Sequence, residues 1–476
     1  MRVGVAVALS VALLAGCSSV DPVWTFPNGS WTATTVAGLA VTDGESGPKP
    51  GVPDADIRVQ NKSDSEIDRL AANAVADVQD YWRAQLPESF GTEFEPIRRL
   101  LSYDSTKDEL AVCGVSTRDL VNALYCSADD TVAWDRGQLL PLLNDSFGSM
   151  AVVTVLAHEV GHAVQTRLGP AANLDDNTPS IVKEQQADCN TGSFFRWMAE
   201  GRAAHFQVST GPGLNQVLQT LFFIRDSAGS SFEDQGAHGS AFDRVSAFQL
   251  GFGEGPDRCA QIDPAEIEQR ITQRTSDREE DQGLGAGNLR VDDRDALADL
   301  RRSLDNTFVR AGTTRPSMDT EESGCADDTP RTSPAAYCRE ENAVRVDIDD
   351  LVRIGTPAAS GQGEGIGDFA AFAEVASRYA LWHQNADGDE LTGMAAAQRT
   401  ACLTGVWAAS IQPEREEALL LSPGDLDEAI AEMLLPQSLI AADVTGQSVP
   451  SGFARVAAFR EGFNVGSTSA CREMFA

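Results

Sequence analysis

His158-Glu159-Val160-Gly161-His162 places two of the chain's five histidines four residues apart. The surrounding stretch from Ala151 to Leu168 is apolar around most of its circumference and stops at Gly169-Pro170. It therefore reads as a buried helix. On a helix, residues i and i+4 share a face, so both imidazoles point at one spot. Two imidazoles so placed suit zinc, which takes ring nitrogens at about 2.0–2.1 Å and, for catalysis, a third protein ligand plus an open position. Glu159 lies about a quarter turn from His158. There it can reach water at a metal without occupying the metal, and act as a general base.

The third ligand is expected on a second helix, running from Ser180 through SIVKEQQADCNTGSFFRWMAEG, with Ser180 as its cap. Glu184 stands 22 residues after His162 and completes a His158, His162, Glu184 set for one zinc ion. Asp188, one turn further along the same face, is placed to accept a hydrogen bond from the spare nitrogen of a zinc histidine and fix its tautomer. His238 is the remaining functional candidate, just before the segment Arg244-Val245. His205 and His383 have no neighbours of ligand type and read as structural. The acidic residues show no EF-hand spacing, which argues against calcium.

Cys113-Gly114-Val115, Tyr125-Cys126, Ala157 to His162 followed by Val164-Gln165, Glu184-x-Gln186-Ala187-Asp188-Cys189, and His238-Gly239-Ser240 with Arg244-Val245 together resemble the bacterial neutral zinc metallopeptidases. The resemblance spans roughly Ala74 to Cys259. It implies a zinc-dependent hydrolase of gluzincin type, with His158, His162 and Glu184 as ligands and Glu159 as the catalytic carboxylate. In enzymes of this type a side chain often faces the developing oxyanion, and His238 is the candidate here. The sequence departs from the family where a second His often follows the motif (Ala163) and where Leu often precedes the Gln of the second helix (Gln185). Neither change removes a ligand.

The elements that must position these groups belong to a chain of 476 residues with 37 Lys plus Arg against 71 Asp plus Glu, a formal net charge of −34. Such a surface repels phosphate backbones, which excludes a nucleic-acid partner. At the start, Arg2 and the apolar run Val3 to Leu14 are too short to span a bilayer. They end in Leu14-Ala15-Gly16-Cys17, which resembles the lipobox of bacterial lipoproteins. Residues 1–16 are then a signal peptide, and Cys17 carries the lipid. The expected location is the bacterial cell membrane, lipid-anchored and extracytoplasmic, with membrane contact through the lipid only. Residues 17–64, rich in Gly, Pro, Ser, Thr and Asp, read as a flexible tether.

Eight further cysteines betray a repeat. Cys113, Cys126, Cys189 and Cys259 recur at nearly the same intervals as Cys325, Cys338, Cys402 and Cys471. Phe242 to Phe248 matches Phe453 to Phe459, and Gly251-Phe252 matches Gly462-Phe463. If each half closes on itself, three pairings per half are open. The favoured one joins Cys113 to Cys126 and Cys189 to Cys259, and likewise Cys325 to Cys338 and Cys402 to Cys471. In the second half Ala373, Ser377 and Ala397 stand against the three zinc ligands, and Ala401 against Asp188. The expected architecture is α+β and helix-rich, with two tandem homologous zincin-like domains. Residues 65–274 form the zinc metallopeptidase domain, 275–293 a linker, and 294–476 a degenerate repeat without metal ligands. The expected partner is a peptide or protein substrate in the cell envelope. The competing expectation is a catalytically silent envelope scaffold with a structural zinc.

Overall fold

The computed structural model describes residues 31–32, 34–175, 177–272, 287–320, 324–326, 330–357, 365–413, 415 and 417–476. The signal segment 1–16, Cys17 and most of the expected linker lie outside the described residues.

After four two-residue strands between Trp31 and Pro48, the first half continues with the long helix Glu66–Phe90. The Ser65 side chain accepts the Asp68 N–H at its start, and Gly91 ends it in the left-handed region. A three-stranded sheet follows, ordered Arg99–Tyr103, Thr131–Asp135, Ala123–Cys126. The first pair is parallel and the second antiparallel, with Tyr125 opposite Val132. Every residue of the central strand is buried. The motif helix Ser149–Leu168, the ligand helix Ser180–Ala199, the helix Pro212–Phe223 and the arginine helix Ala241–Glu254 complete this half.

The second half repeats the plan. Its sheet runs Ser317–Asp319, Ala343–Val346, Ala335–Cys338, again one parallel and one antiparallel pair, with Tyr337 opposite Val344. Helices Asp368–Ala386, Met394–Ser410, Asp425–Met433 and Gly452–Val465 follow. All four favoured disulfides are formed, Cys113–Cys126, Cys189–Cys259, Cys325–Cys338 and Cys402–Cys471.

Close helix approach fixes the interior of each half. A Cβ on Gly192 would lie 1.9 Å from the Phe248 carbonyl oxygen, and one on Gly251 would lie 1.7 Å from that of Cys189. The ligand and arginine helices thus meet backbone to backbone. Gly405 and Gly462 do the same between the matching helices, at 2.0 Å from Phe459 O and 1.8 Å from Cys402 O.

The two halves do not form separate cores. One contiguous apolar cluster runs through both, from Val75 and Val153 to Trp407 and Phe459. The contacts across the join are reciprocal. Phe242 meets Phe459 while Phe248 meets Phe453, and Phe242 meets Phe463 while Phe252 meets Phe453. Likewise Pro212–Phe223 packs on Gly452–Val465, and Asp425–Met433 on Ala241–Glu254. This is the i-to-j, j-to-i pattern of a two-fold interface.

Two boundaries need correction. The described part of the expected tether is bonded to the folded body, not free. Gly47–Pro48 pairs with Phe206–Gln207, the Thr42 and Thr210 hydroxyls and main-chain amides bond to one another, Ser46 bonds Ser209, and Val36 is fully buried. Its Ser and Thr hydroxyls supply the partners that a solvated spacer would take from water. At the far end of the expected linker, Val291 is buried and Leu289 donates to Asp368.

Candidate metal centre

The motif helix is buried on nearly every side and presses its middle against the ligand helix. A Cβ on Gly161 would sit 3.2 Å from Ala187 Cα, so the glycine between the two motif histidines permits this approach. The ligand helix begins as expected, but Ser180 is not its cap. Pro179 holds that position with no side-chain bond, and its carbonyl accepts the Val182 N–H.

At this crossing His158, His162 and Glu184 bring one donor atom each to within 4.8 Å of one another. His158 Nε2 lies 3.0 Å from Glu184 Oε2, and His162 Nε2 lies 3.5 Å from Glu184 Oε1. The far ring nitrogens are both held. His158 Nδ1 donates to Asp188 Oδ1 at 2.8 Å, and His162 Nδ1 to Gln165 Oε1 at 2.9 Å. Gln165 cannot turn its amide, because its nitrogen donates to the Lys183 carbonyl at 2.6 Å and to Gln186 Oε1 at 3.3 Å. Both Nε2 atoms are therefore aimed at the carboxylate, the arrangement of a His₂Glu site with oriented ligands.

Asp188 is fully buried and receives Arg244 twice, Nε to Oδ2 and an Nη to Oδ1, each at 2.9 Å. The other Nη of Arg244 donates to the Ile224 carbonyl at 2.8 Å. The Cys189–Cys259 bridge ties the ligand helix to the turn that follows the arginine helix. Arg244, Gln165 and Gln186 are functional neighbours that sequence reasoning quoted in motifs but gave no role.

The electrostatics follow from this geometry. Burial opposes a charge on His158, but Asp188 and Glu184 outweigh it and push the ring up to about 10 in the metal-free chain. With carboxylates at both nitrogens, both nitrogens carry protons. For His162, burial again opposes charge and Glu184 again prevails, raising its pKa. Burial works to raise Glu184, yet the two imidazoles hold it well below the usual carboxylate range. Asp188 is lowered despite its burial, chiefly by Arg244. Glu159 goes the other way. Burial lifts its carboxyl, and the imidazoles and the Tyr125 backbone only partly offset this. A raised carboxyl suits a group that takes and returns a proton near neutral pH.

His238 is brought to the site and stays half-exposed. Its Nε2 lies 3.8 Å from Glu184 Oε2, and its Nδ1 lies 3.4 Å from Asp226 Oδ1. Asp226 also accepts the main-chain N–H groups of His238 at 2.7 Å and Gly239 at 3.0 Å. His205 is structural, bonded to Asp77, and buried His383 donates to the Phe308 carbonyl.

In the second half, Ser377, Ala397 and Ala401 are buried and offer no imidazole or carboxylate. Arg455, which matches Arg244, turns to the carbonyls of Met433, Leu435, Pro436 and Val449 instead. Elsewhere in this half Asp368, Asp425 and Glu428 also converge. These acids cap chain starts. Glu428 takes the Phe369 and Ala370 N–H groups, Asp368 that of Leu289 and Asp425 that of Ser422. Burial raises Asp368 to about 6 and Glu428 well above its usual value.

Residues 32–262 match the family described as "Putative neutral zinc metallopeptidase". Two curated relatives, both named "Uncharacterized protein YpfJ", come from Escherichia coli K12 and Escherichia coli O6:H1. Each is 28% identical over 217 residues, which cover 41% of this chain and 72% of the relative. No solved structure matches. The resemblance read from the first-half motifs is borne out. The match begins at residue 32 and so takes in the packed segment that composition had assigned to a tether.

Proposed function

We propose that the chain is a zinc-dependent peptidase whose first half hydrolyses peptide bonds. The observation that carries this reading is the convergence of the His158 and His162 Nε2 atoms on Glu184, with both far nitrogens held. Bound there, zinc supplies Lewis acidity toward a carbonyl oxygen and toward water. Glu159 takes the proton of the attacking water and delivers it to the leaving amine nitrogen. Its place next to His158 on the motif helix puts it within reach of water at the metal for both transfers. His238, steadied by Asp226, donates to the oxygen on which negative charge develops. The Arg244–Asp188 pair holds the His158 ring in place throughout.

The second half is, on this reading, a tandem copy that has lost its metal. The shared strand order, matching bridges, paired glycines and reciprocal phenylalanines support it. The protein sits on the outer face of a bacterial membrane through lipid on Cys17, and its substrates are envelope peptides or proteins. The N-terminal run and its Leu-Ala-Gly-Cys quartet support that placement. No helix of the described residues is long and apolar enough to cross a membrane.

The test measures zinc per chain and cleavage of a quenched peptide mixture by the full chain. One zinc and cleavage are expected. One zinc without cleavage favours a structural ion in a binding protein, and no zinc overturns the site.

A further inference from the structure

We propose that the two halves together build a side-chain pocket beside the catalytic centre, and that it receives one apolar side chain of the peptide substrate. The inference rests on the peptidase reading. A cavity of about 150 Å³ lies at the join, lined by Asp226, Ile271, Gln412, Leu421, Leu426 and Phe463 among others. Its second-half wall lies wholly outside the matched residues 32–262.

The first-half wall is Asp226 to Gly229 and Ser240, from the segment that carries His238, together with Ile271 and Thr272. Asp226 lines the cavity and at the same time holds the His238 ring and backbone. That ring reaches to 3.8 Å from Glu184, so the cavity is one side chain away from the metal ligands. The second half fixes this segment at both ends. Asp427 pairs with Arg225 at 3.0 Å, just before the segment, and accepts the Phe242 N–H at 3.1 Å, just after it.

The chemistry of the occupant follows from what remains unused. The two acids at the cavity are committed to Arg225 and to main-chain N–H groups, so they do not call for a cationic guest. The other walls present more apolar than polar surface, from Ile271, Leu421, Leu426 and Phe463, with Ser and Thr hydroxyls and Gln412 between them. An apolar cavity of roughly 150 Å³ is large enough for benzene. A leucine or phenylalanine side chain fits that description.

The experiment uses the full zinc-loaded chain and quenched peptides that differ at one scanned position, bearing Ala, Leu, Phe, Asp or Lys. Wild type is expected to prefer Leu or Phe over Ala by about tenfold or more in kcat/KM at one position. Gln412→Trp, which fills the cavity, should erase that preference and leave zinc content unchanged. Leu421→Ala, which enlarges it, should shift preference from Leu toward Phe. Cleavage whose preference survives Gln412→Trp overturns the pocket and leaves the peptidase reading intact. A zinc-loaded wild type that cleaves none of the peptides overturns the peptidase reading and the pocket with it.

Discussion

Asp188→Asn isolates the least visible part of the site. The substitution keeps shape and removes one charge that serves two partners, His158 at 2.8 Å and Arg244 at 2.9 Å twice. Breaking a buried pair by removing one partner costs about 3–5 kcal/mol, because the other charge stays buried alone. Arg244 cannot easily find substitutes. Its one other acceptor given by the structure is the Ile224 carbonyl, whereas Arg455, opposite Ala401, has carbonyls from four residues. A second effect falls on the metal. Loss of the group that orients a ligand histidine lowers affinity by roughly 10–100-fold. Metal-free Asp188→Asn should therefore unfold about 3–5 kcal/mol more easily by denaturant titration. Chelator competition should show a further 10–100-fold weaker hold on zinc. Arg244→Met with Asp188→Leu should recover much of the stability and none of the affinity. If Asp188→Asn binds zinc within about threefold of wild type, Asp188 does not orient His158 and the role given to the Arg244–Asp188 pair is wrong.

Glu159→Gln should keep one zinc and lose about 10²-fold or more of peptide turnover, measured with the same quenched peptides. Gly251→Ala should destabilise severely, since its Cβ would meet Cys189 O at 1.7 Å, and should weaken zinc retention because the ligand helix must move. Gly462→Ala meets Cys402 O at 1.8 Å and should lower stability with far less effect on zinc affinity once folded. The metal-free His158, raised to about 10 from 6.5, contributes stability that is full below pH 6.5 and lost as pH rises through 10. Glu184 and Asp188, both lowered, contribute stability present above their unfolded pKa values and lost as pH falls through the folded ones. Because zinc must displace the His158 proton, its apparent affinity should climb about tenfold per unit from pH 7 to 9. Chelator competition at three pH values checks this, and a flat profile contradicts it.

The motif histidines and Glu159 were legible because helix periodicity is local and places i, i+3 and i+4 together without knowledge of the rest, whereas Glu184 was legible from the second-helix motif that follows His162 by 22 residues. The bridges were legible because a repeat writes the same spacing twice. The holds of Gln165 on Lys183 and of Arg244 on Asp188 were not, since these pairs lie 18 and 56 residues apart and only the helix crossing joins them, although the Gln165 bond to His162 is a local i, i+3 contact. The packed segment from Thr34 to Asp64 misled for another reason. Small polar residues serve a solvated spacer and a hydrogen-bonded strap equally well. Nor could composition reveal that the two halves share one core, because each phenylalanine of the join also fits a private interior.

The reciprocal contacts at that join have a consequence for how such a chain can change. In a dimer of identical subunits every substitution appears twice, so loss of a ligand empties both sites and any new wall is built symmetrically. On the proposed reading of the second half as a tandem copy, two copies on one polypeptide escape that symmetry. The phenylalanine exchange can persist under selection for packing while one copy gives up its histidines. The freed copy can then place an acid such as Asp427 where only its neighbour has a use for it.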